Sequence, residues 1–441
     1  MSPNRCQLSL RSVHPTLAAA LVLWDCEVRD ISRDPTRLRV MSEAWMFKKY
    51  PLREAKERFE ANHPGVEVDL IKAPDGWQNR LLVAMMSHRS DFDLFFGTVE
   101  TNVAAWAARD LLLPWDDYIA SRPAMQRGAF IPTFYDNNRF GEHQFGLPIT
   151  AELTAFSVNK EMAARAGLLD ADGNLVPART WEDVFDYARK MTARDEDGHV
   201  KTVGFAGNWT NANSMLFAAL KAERGRLTAG DPPKLMIDTP EIRTFLRLTR
   251  EGVAAGITTI ASMTDVNQPR SDLKARLVAM ILTSHSRYLE AQEILGVGST
   301  TIMPVPGKAG AALGGARTVV IPRNSRAVDL ARLFVEEEML EPCFATFAWE
   351  KYGKLPCQRE LFEKLDEPEA AFLAEWAEAS EMDPMFRDET ALVDAMRRNI
   401  QRYLTGAVEL DPMMTQLKAE LDRLNLTDIR TYFGQKRTTS Q

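Results

Sequence analysis

Tryptophans and carboxylates that directly follow strand-like runs are the residues of this sequence best suited to chemistry. Trp45, Trp77 and Trp209 each come after such a run, as do Glu43 and Glu100. An indole face stacks on the apolar C–H face of a ring, whereas planar polar groups satisfy hydroxyls in fixed directions. A buried hydroxyl without a partner costs free energy, so the polar groups supply selectivity. These residue types predict reversible recognition of a ligand that has apolar faces and hydroxyl groups.

The full set of candidate binding residues lies after predicted strands, or on or near segments that cross between two predicted halves of the chain. It consists of Glu43, Trp45, Trp77, Glu100, Thr150, Glu152, Asn208, Trp209, His285, Arg287, Arg317 and Trp349. A polar residue at such a position is more often a solvated loop residue, so the prediction rests on convergence at one place. Four other tryptophans belong to apolar helical segments and are predicted to pack in the core instead. They are Trp106, Trp115, Trp181 and Trp376.

Catalysis is the alternative that the carboxylates raise. Glu43, Glu100 and Glu152 could supply the two facing carboxylates, roughly 5–10 Å apart, that glycoside hydrolysis needs. Asp116 and Asp117 are adjacent acids at a predicted helix start, where they favour the helix dipole. The sequence contains no nucleophile elbow, P-loop or dinucleotide fingerprint and no HExxH or CxxC motif. It therefore predicts no cofactor and no metal, and it leaves glycoside hydrolysis as the alternative to binding.

Alternating strands and helices must position these residues. Residues 38–41, 66–71 and 91–96 read as strands, separated by amphipathic helices at 48–62 and 77–87. This order predicts right-handed crossovers and a mostly parallel sheet in an α/β fold. Ligands of such sheets lie beyond the carboxyl ends of the strands. The segments that follow these strands are therefore expected to face the binding site.

A long strand is predicted in the middle of the chain. The run 149–158 is rich in β-branched and apolar residues and is preceded by polar turn residues and Gly-Leu-Pro. Asn159 and Lys160 then open a short helical segment that Gly167 can end, because glycine accepts a positive φ. A chain of 441 residues is long for one compact domain. The long strand is therefore expected to connect two halves.

This central segment, followed by Thr180-Trp181-Glu182-Asp183, resembles that of the extracellular solute-binding proteins of ABC importers. It is most similar to the large carbohydrate-binding family that includes maltose-binding protein. Further landmarks of that family occur in the right order over residues 38–425. They are His-Pro-Gly-Val-Glu-Val at 63–68, Asp-Leu-Leu-Leu-Pro-Trp-Asp-Asp-Tyr-Ile at 110–119, Thr-Ser-His-Ser at 283–286, Pro-Val-Pro at 304–306, Gly-Gly at 314–315 and Gly-Lys-Leu-Pro at 353–356.

The resemblance implies a periplasmic-binding-protein-like fold. Each of two lobes would have a central, mostly parallel sheet flanked by helices, and crossing hinge strands would join the lobes. The expected division gives residues 38–150 and 284–313 to lobe 1, and residues 151–283 and 314–441 to lobe 2. The three crossings are expected near Thr150, Ser284 and Gly315.

The resemblance also implies a function. The protein would be a monomeric, non-catalytic component of an ABC transporter that captures a sugar or oligosaccharide by hinge closure and delivers it to the permease subunits. A polyamine or a glycerol-phosphate-like ligand on the same fold remains an alternative, as does a carbohydrate-active enzyme. Clustered acids in the cleft would favour a polyamine, whereas paired cations would favour a phosphate, and Arg287 and Arg317 keep that second option open.

Composition narrows the partners. Hydrophobic residues make up 45% and charged residues 26% of the chain, as in ordinary globular proteins. The net charge of −7 argues against a nucleic-acid surface, which needs a concentrated basic face. No stretch approaches the roughly 18 uninterrupted apolar residues of a membrane span.

Residues 1–37 are expected to form a leader and tether. Arg5 and Arg11 precede an apolar run at 17–24, and Cys26 follows where a lipoprotein cysteine would lie. A lipobox needs small residues at the two positions before that cysteine, which are Trp24 and Asp25, so the signal is degenerate. The expected location is periplasmic or extracellular, with a possible membrane anchor. The alternative is a disordered extension.

Two cysteines later in the chain admit two interpretations. Cys343 and Cys357 could pair in an exported protein, or they could be small buried thiols.

Overall fold

The computed structural model describes residues 36–424 and 426, except 75, 88–90, 99, 210–211, 225, 231–233, 266, 308–313, 366–372, 374, 379–385 and 387. The strands are β1 (Arg37–Ser42), β2 (Glu67–Lys72), β3 (Leu94–Thr98), β4 (Arg139–Phe140), β5 (His143–Gln144), β6 (Gly146–Asn159), β7 (Ala193–Arg194), β8 (Val200–Ala206), β9 (Thr228–Ala229), β10 (Lys234–Leu235), β11 (Thr258–Thr259), β12 (Val278–Ser284), β13 (Thr300–Met303), β14 (Gly314–Val320) and β15 (Leu355–Pro356). The expected leader lies almost wholly outside the described residues.

The α-helices alternate with these strands over most of the chain. They are α1 (Met46–Lys49), α2 (Leu52–Asn62), α3 (Trp77–Met86), α4 (Glu100–Ala107), α5 (Asp116–Ile119), α6 (Pro132–Asp136), α7 (Lys160–Arg165), α8 (Trp181–Met191), α9 (Ala212–Arg224), α10 (Pro240–Ala254), α11 (Gln268–Lys274), α12 (Arg287–Leu295), α13 (Val328–Phe334), α14 (Pro342–Tyr352), α15 (Arg359–Phe362), α16 (Glu389–Leu404) and α17 (Leu410–Leu421). None of the described helices is both long enough and apolar enough to span a bilayer.

Strand β6 connects two sheets. In the first sheet, β2, β1 and β3 run parallel, and β14 lies antiparallel between β3 and the first half of β6. In the second sheet, β11, β8 and β12 run parallel, and β12 lies antiparallel to the second half of β6. The fourteen residues of β6 are almost all buried, which explains their near-continuous apolar and β-branched pattern. The fold is therefore the predicted α/β, two-lobed, periplasmic-binding-protein-like architecture.

The three predicted crossings lie side by side. Ser284 pairs with Thr154 of β6, and Gly315 pairs with Glu152 of the same strand. Arg317 pairs with Thr150. The three predicted segments are therefore adjacent, but the strands pass from one sheet to the other along β6 and between β13 and β14, because β13, which follows Ser284, still pairs with the second half of β6. Side chains near Thr150 and Glu152 consequently contact residues from both sheets.

Two segments pair differently from the expected division of the chain. Residues 284–313 were expected with the first lobe, but β13 pairs with the second half of β6. Residues from 314 onward were expected with the second lobe, but β14 pairs with β3 and α13 contacts β1. The apolar pattern of a strand shows that it is buried and does not show which of two sheets it joins, so the expectation failed here.

Two helix ends are formed by local sequence signals. The Thr180 hydroxyl accepts a hydrogen bond from the Asp183 N–H, and the Asp183 carboxylate accepts one from the Thr180 N–H, forming the capping box of α8. Gly353 ends α14 in the left-handed conformation with φ of 62°. Cys343 is exposed and Cys357 is buried, and they are not joined by a disulfide.

Candidate functional site

Charged side chains from both sheets meet where β6 passes from one sheet to the other. We call this group the charged junction. Its members are Glu43, Lys49, Glu152, Arg270, Arg287, Glu290, Arg317 and Lys354. They come from β1's following loop, α1, β6, α11, α12, β14 and the turn before β15. The junction thus brings four of the twelve predicted binding residues together with four further charged side chains.

Glu152 lies at the centre of the junction. Its carboxylate accepts hydrogen bonds from the hydroxyls of Ser284 and Ser286, the latter at 2.6 Å, and it forms an ion pair with Lys354. Burial alone would raise the pKa of this carboxyl. The positive charges of Lys354, Arg317 and Arg287 outweigh burial and hold the pKa well below its ordinary value. Glu152 is therefore an ionised acceptor and not a proton donor.

Lys354 is the counter-charge beneath Glu152. Its side chain is 1% exposed, and its ammonium group also donates to the Ser286 hydroxyl at 3.1 Å. Burial lowers the pKa of Lys354 to about 8, assisted by repulsion from Arg287 and opposed by Glu152. Removing either partner of such a buried pair leaves an uncompensated charge, which is strongly destabilising.

The imidazole of His285 bonds to the backbone of two neighbouring chain segments. Its Nδ1 accepts the N–H of Leu153 at 3.0 Å, and its Nε2 donates to the carbonyl of Gly353 at 2.8 Å. The ring is fully buried, and burial lowers its pKa to about 4. The prediction that His285 contacts a ligand is wrong, because the backbone occupies both ring nitrogens.

An ion pair links the two sheets at the edge of the junction. Lys49, on the helix after β1, donates to the Glu290 carboxylate at 2.8 Å, and Arg287 pairs with the same carboxylate. Burial would raise the pKa of Glu290, but Arg287 and Lys49 lower it. Nearby, the Tyr352 hydroxyl donates to the Lys48 carbonyl at 2.9 Å. These contacts join α1 to α12 and α14.

Trp45 is half-buried beside the junction. Its indole N–H donates to the Glu43 carboxylate at 3.1 Å, and the Arg317 guanidinium lies 5.3 Å from the ring centroid. Beneath it, the Tyr50 hydroxyl and the Thr150 hydroxyl share a 2.7 Å hydrogen bond. Thr150 is fully buried, so its predicted ligand contact is replaced by this internal one. Burial raises the pKa of Tyr50, which stays protonated.

Three tryptophans predicted to face a ligand lie in the hydrophobic core. Trp77 is 8% exposed and packs on Phe95 at 4.7 Å between ring centroids. Trp209 is fully buried and stacks on Phe245 at 5.9 Å, and Trp349 is 4% exposed. The predictions for all three are wrong, because the indoles are buried in the hydrophobic core and present no face to a ligand. The four tryptophans predicted as core are all buried.

The predicted ligand contacts of two residues, Asn208 and Glu100, stay predictions. Asn208 is half-buried in the loop after β8, and its Oδ1 has no hydrogen-bond partner among the described residues. Glu100 begins α4, and its side chain lies outside what the structure describes.

Sequence reasoning missed several members of the site. Lys354 lies within a recognised landmark, and Ser284 and Ser286 flank His285, so these three had a local signal. Lys49, Arg270 and Glu290 lie on amphipathic helices, where a charge is typical of a solvated face. Only the packing of helices from distant parts of the chain brings those charges to the junction.

Comparison with known proteins supplies a family and a fold. The sequence model described as bacterial extracellular solute-binding protein matches residues 48–337. The structure is similar to the GacH receptor of Streptomyces glaucescens, studied unliganded and with acarbose, at 18% identity and a TM-score of 0.73 over 88% of this chain and 98% of that one. It is also similar to the sugar-binding protein MalE of Xanthomonas citri, at 18% identity and a TM-score of 0.72 over 92% and 100%.

A third similar structure is maltose-bound MalE3 of T. maritima, at 15% identity and a TM-score of 0.71 over 88% and 99%. No curated protein sequence matches this chain. At these identities the structural likeness concerns the fold.

Proposed function

The chain belongs to the bacterial extracellular solute-binding proteins, and on that premise we propose that it is the substrate-binding component of an ABC importer that captures a carbohydrate between its two lobes. The observation that carries the proposal is the charged junction, in which side chains from the elements of both sheets meet beside β6. Two of the similar proteins, the GacH receptor and MalE3, bind acarbose and maltose.

Trp45 and its neighbours suit one end of a sugar. The half-buried indole offers an apolar face, and Glu43, Glu152 and Arg317 offer directed polar groups beside it. Because Trp45, Glu43 and Arg317 lie on the side of the first sheet, while Arg287 lies on α12 after β12 of the second, a ligand that contacts both sets would draw the two lobes together. Preference of a ligand for the closed arrangement is what drives hinge closure.

The ion pair between Lys49 and Glu290 supports a closing movement. It joins α1, which follows the first strand of one sheet, to α12, which follows β12 of the other sheet. Separation of the lobes would break this contact. We propose that it belongs to the closed state.

The charge states of the junction disfavour catalysis. A glycosidase needs one carboxylic acid whose pKa is raised so that it can donate a proton. The positive charges beside Glu152 and Glu290 lower the pKa of both carboxyls. The proposal is therefore binding without turnover. The bound ligand is then delivered, on the outer side of the cytoplasmic membrane, to the transmembrane permease subunits.

The strand pairing suggests a revised division into lobes. We propose that β1–β3, the first half of β6, β14 and α13 belong to lobe 1. The second half of β6, β8, β11–β13 and α16 belong to lobe 2, since α16 packs on α9 and α10.

Calorimetric titration with mono- and oligosaccharides, with product analysis of each hit, tests this function. A carbohydrate should bind without being altered, and Trp45→Ala should weaken it by about 1–2 kcal/mol because stacking is lost. Trp376→Phe, which changes a core indole, is the matched control and should leave affinity unchanged. Turnover of a bound sugar, or binding of polyamines and of no sugar, would overturn the proposal.

A further inference from the structure

Positive charge is concentrated at the charged junction of an otherwise acidic protein. The chain as a whole carries a net charge of −7. The junction nevertheless brings together five cationic side chains and three carboxylates. The excess is therefore positive at this junction, to which elements of both sheets contribute side chains.

The carboxylates of the junction are already engaged. Glu152 is bound by Lys354 and two serine hydroxyls, and Glu290 is shared by Lys49 and Arg287. Glu43 accepts the indole N–H of Trp45. Each of the three carboxylates thus already accepts at least one hydrogen bond within or beside the junction.

Arg270 and Arg317 are left with weak pairing. Arg317 approaches the Glu152 carboxylate only to 3.8 Å, with its guanidinium over the Trp45 ring. Arg270 donates to the Asn267 side-chain carbonyl at 3.2 Å, and within the described part of the chain it has no carboxylate at ion-pair distance. Arg270 is itself only half-exposed. Two guanidinium groups thus remain available to an outside anion.

Arg287 is the third cation of this group. Its Nε is buried and has no hydrogen-bond partner among the described residues, although its Nη1 pairs with Glu290. It is also the first residue of the nine-residue helix α12, an end that favours negative charge. Burial, and then repulsion from Arg287, lower the pKa of Arg270. An anion placed here would relieve that repulsion.

A planar, forked guanidinium matches the oxygens of a carboxylate or a phosphate, and each such bond is stronger than one to a neutral hydroxyl. The adjacent Trp45 offers a ring face next to the cations. A neutral sugar would leave the excess positive charge uncompensated, and a polyamine would add to it.

We propose that the ligand is an anionic sugar, whose carboxylate or phosphate group binds Arg270, Arg287 and Arg317 while its ring contacts Trp45. The inference rests on the proposed carbohydrate-binding function and specifies the class of sugar. Uronic acids and sugar phosphates are the two sources of the same chemistry.

Calorimetry on the full chain with matched ligands tests the class. The series compares a neutral hexose, the corresponding uronic acid and its short oligomers, and the corresponding sugar phosphate, with inorganic phosphate as the ring-free probe. At least one anionic sugar should bind tenfold or more tightly than its neutral counterpart, and its affinity should fall as salt rises. Whichever anion binds identifies the source.

Two single variants locate the anion. Arg270→Gln and Arg317→Gln should each weaken the anionic sugar about tenfold or more and narrow its advantage over the neutral one. Arg247→Gln, which removes the same charge from an exposed position on α10, should change neither value. Thermal melts confirm that each variant is folded. Arg270→Gln should disturb the fold less than Arg317→Gln, because Arg270 lies half-exposed on a short helix.

The outcomes separate the two proposals. Equal or tighter binding of the neutral sugar would overturn the anionic class and leave the carbohydrate-binding function standing. Inorganic phosphate that binds as tightly as every sugar phosphate would also overturn it, because the ring would contribute nothing. Binding of no sugar, charged or neutral, would overturn the function itself.

Discussion

The loop after β1 and the loop after β8 have the same sequence pattern, but their tryptophans differ in burial. Each places a tryptophan beside a polar residue directly after a buried strand, Glu43 with Trp45 and Asn208 with Trp209. Trp45 stays half-buried, held by Glu43 on one side and Arg317 on the other. Trp209 is fully buried and stacks on Phe245 of α10. A position after a strand therefore limits where an indole begins, and the element packed over it decides whether the indole remains accessible.

Side chains in and around the charged junction show the same difference between buried and partly exposed positions. Lys354 and His285 are buried and hold the crossings together. Arg317, Lys49 and Trp45 are partly exposed at its rim. Buried members should determine stability, and rim members should determine binding and lobe movement.

The largest expected effect tests the two loops directly. Trp209→Ala should lower the free energy of unfolding by about 3–5 kcal/mol, because it removes a fully buried indole and leaves a cavity. Trp45→Ala should cost about 1 kcal/mol or less in the same chemical denaturation experiment. Equal losses would mean that the two indoles are equally enclosed and that the comparison is mistaken.

The second effect concerns the interior of the junction. Lys354→Met should cost about 3 kcal/mol of unfolding free energy, because the Glu152 carboxylate then lacks its buried counter-charge. Arg317→Met removes a cation 3.8 Å from the same carboxylate, and its side chain is 26% exposed, so it should cost under about 1 kcal/mol. Adding Glu152→Gln to Lys354→Met should restore part of the loss. A double variant less stable than either single one would contradict this account.

The third effect is a pH dependence from His285. Its pKa is about 4 in the folded protein against 6.5 as the ordinary value, so the unfolded chain binds the proton first as the pH falls. The stability that the neutral ring contributes is complete above about pH 6.5 and is lost progressively toward pH 4. Unfolding free energy should therefore fall by about 1 kcal/mol between pH 7 and pH 5.5. Denaturation series at both pH values measure it.

His285→Gln should flatten that part of the pH profile, whereas His199→Gln should leave it unchanged, because the His199 side chain is 80% exposed. The lowered pKa of Glu152 acts in a separate window, since its contribution is lost only as the pH falls below the ordinary carboxyl range. A wild-type profile that is level from pH 7 to pH 5 would show that the ring is not held neutral.

The smallest effect concerns the rim. Lys49→Met removes the ion pair with Glu290, whose side chains are 21% and 22% exposed, and should cost at most about 1 kcal/mol. Its consequence should appear as a larger radius of gyration by small-angle scattering, since the contact joins the two sheets. Lys56→Met removes a lysine that pairs within α2, with Glu60, and should leave the radius unchanged. An unchanged radius in both variants would mean that this pair does not hold the lobes together.

The sequence predicted the fold because the relevant signals are local. Alternating strand and helix patterns, the apolar run of β6, the capping box at Thr180 and the glycine at position 353 each depend on neighbouring residues. Their order along the chain was enough to predict that the segments near Thr150, Ser284 and Gly315 lie side by side. Which sheet receives β13 and which receives β14 was not predictable, because a buried strand has the same apolar pattern in either.

What the sequence by itself determined was the family architecture and the approximate location of the site, through residues such as Glu152, Arg287 and Arg317 that lie on or beside the crossings. Only the tertiary structure decided that Trp45 stays accessible while Trp209 does not, and that Lys49 meets Glu290. Exposure and ion pairing depend on elements more than two hundred residues apart for that pair. A local sequence pattern does not show which distant elements will pack against it.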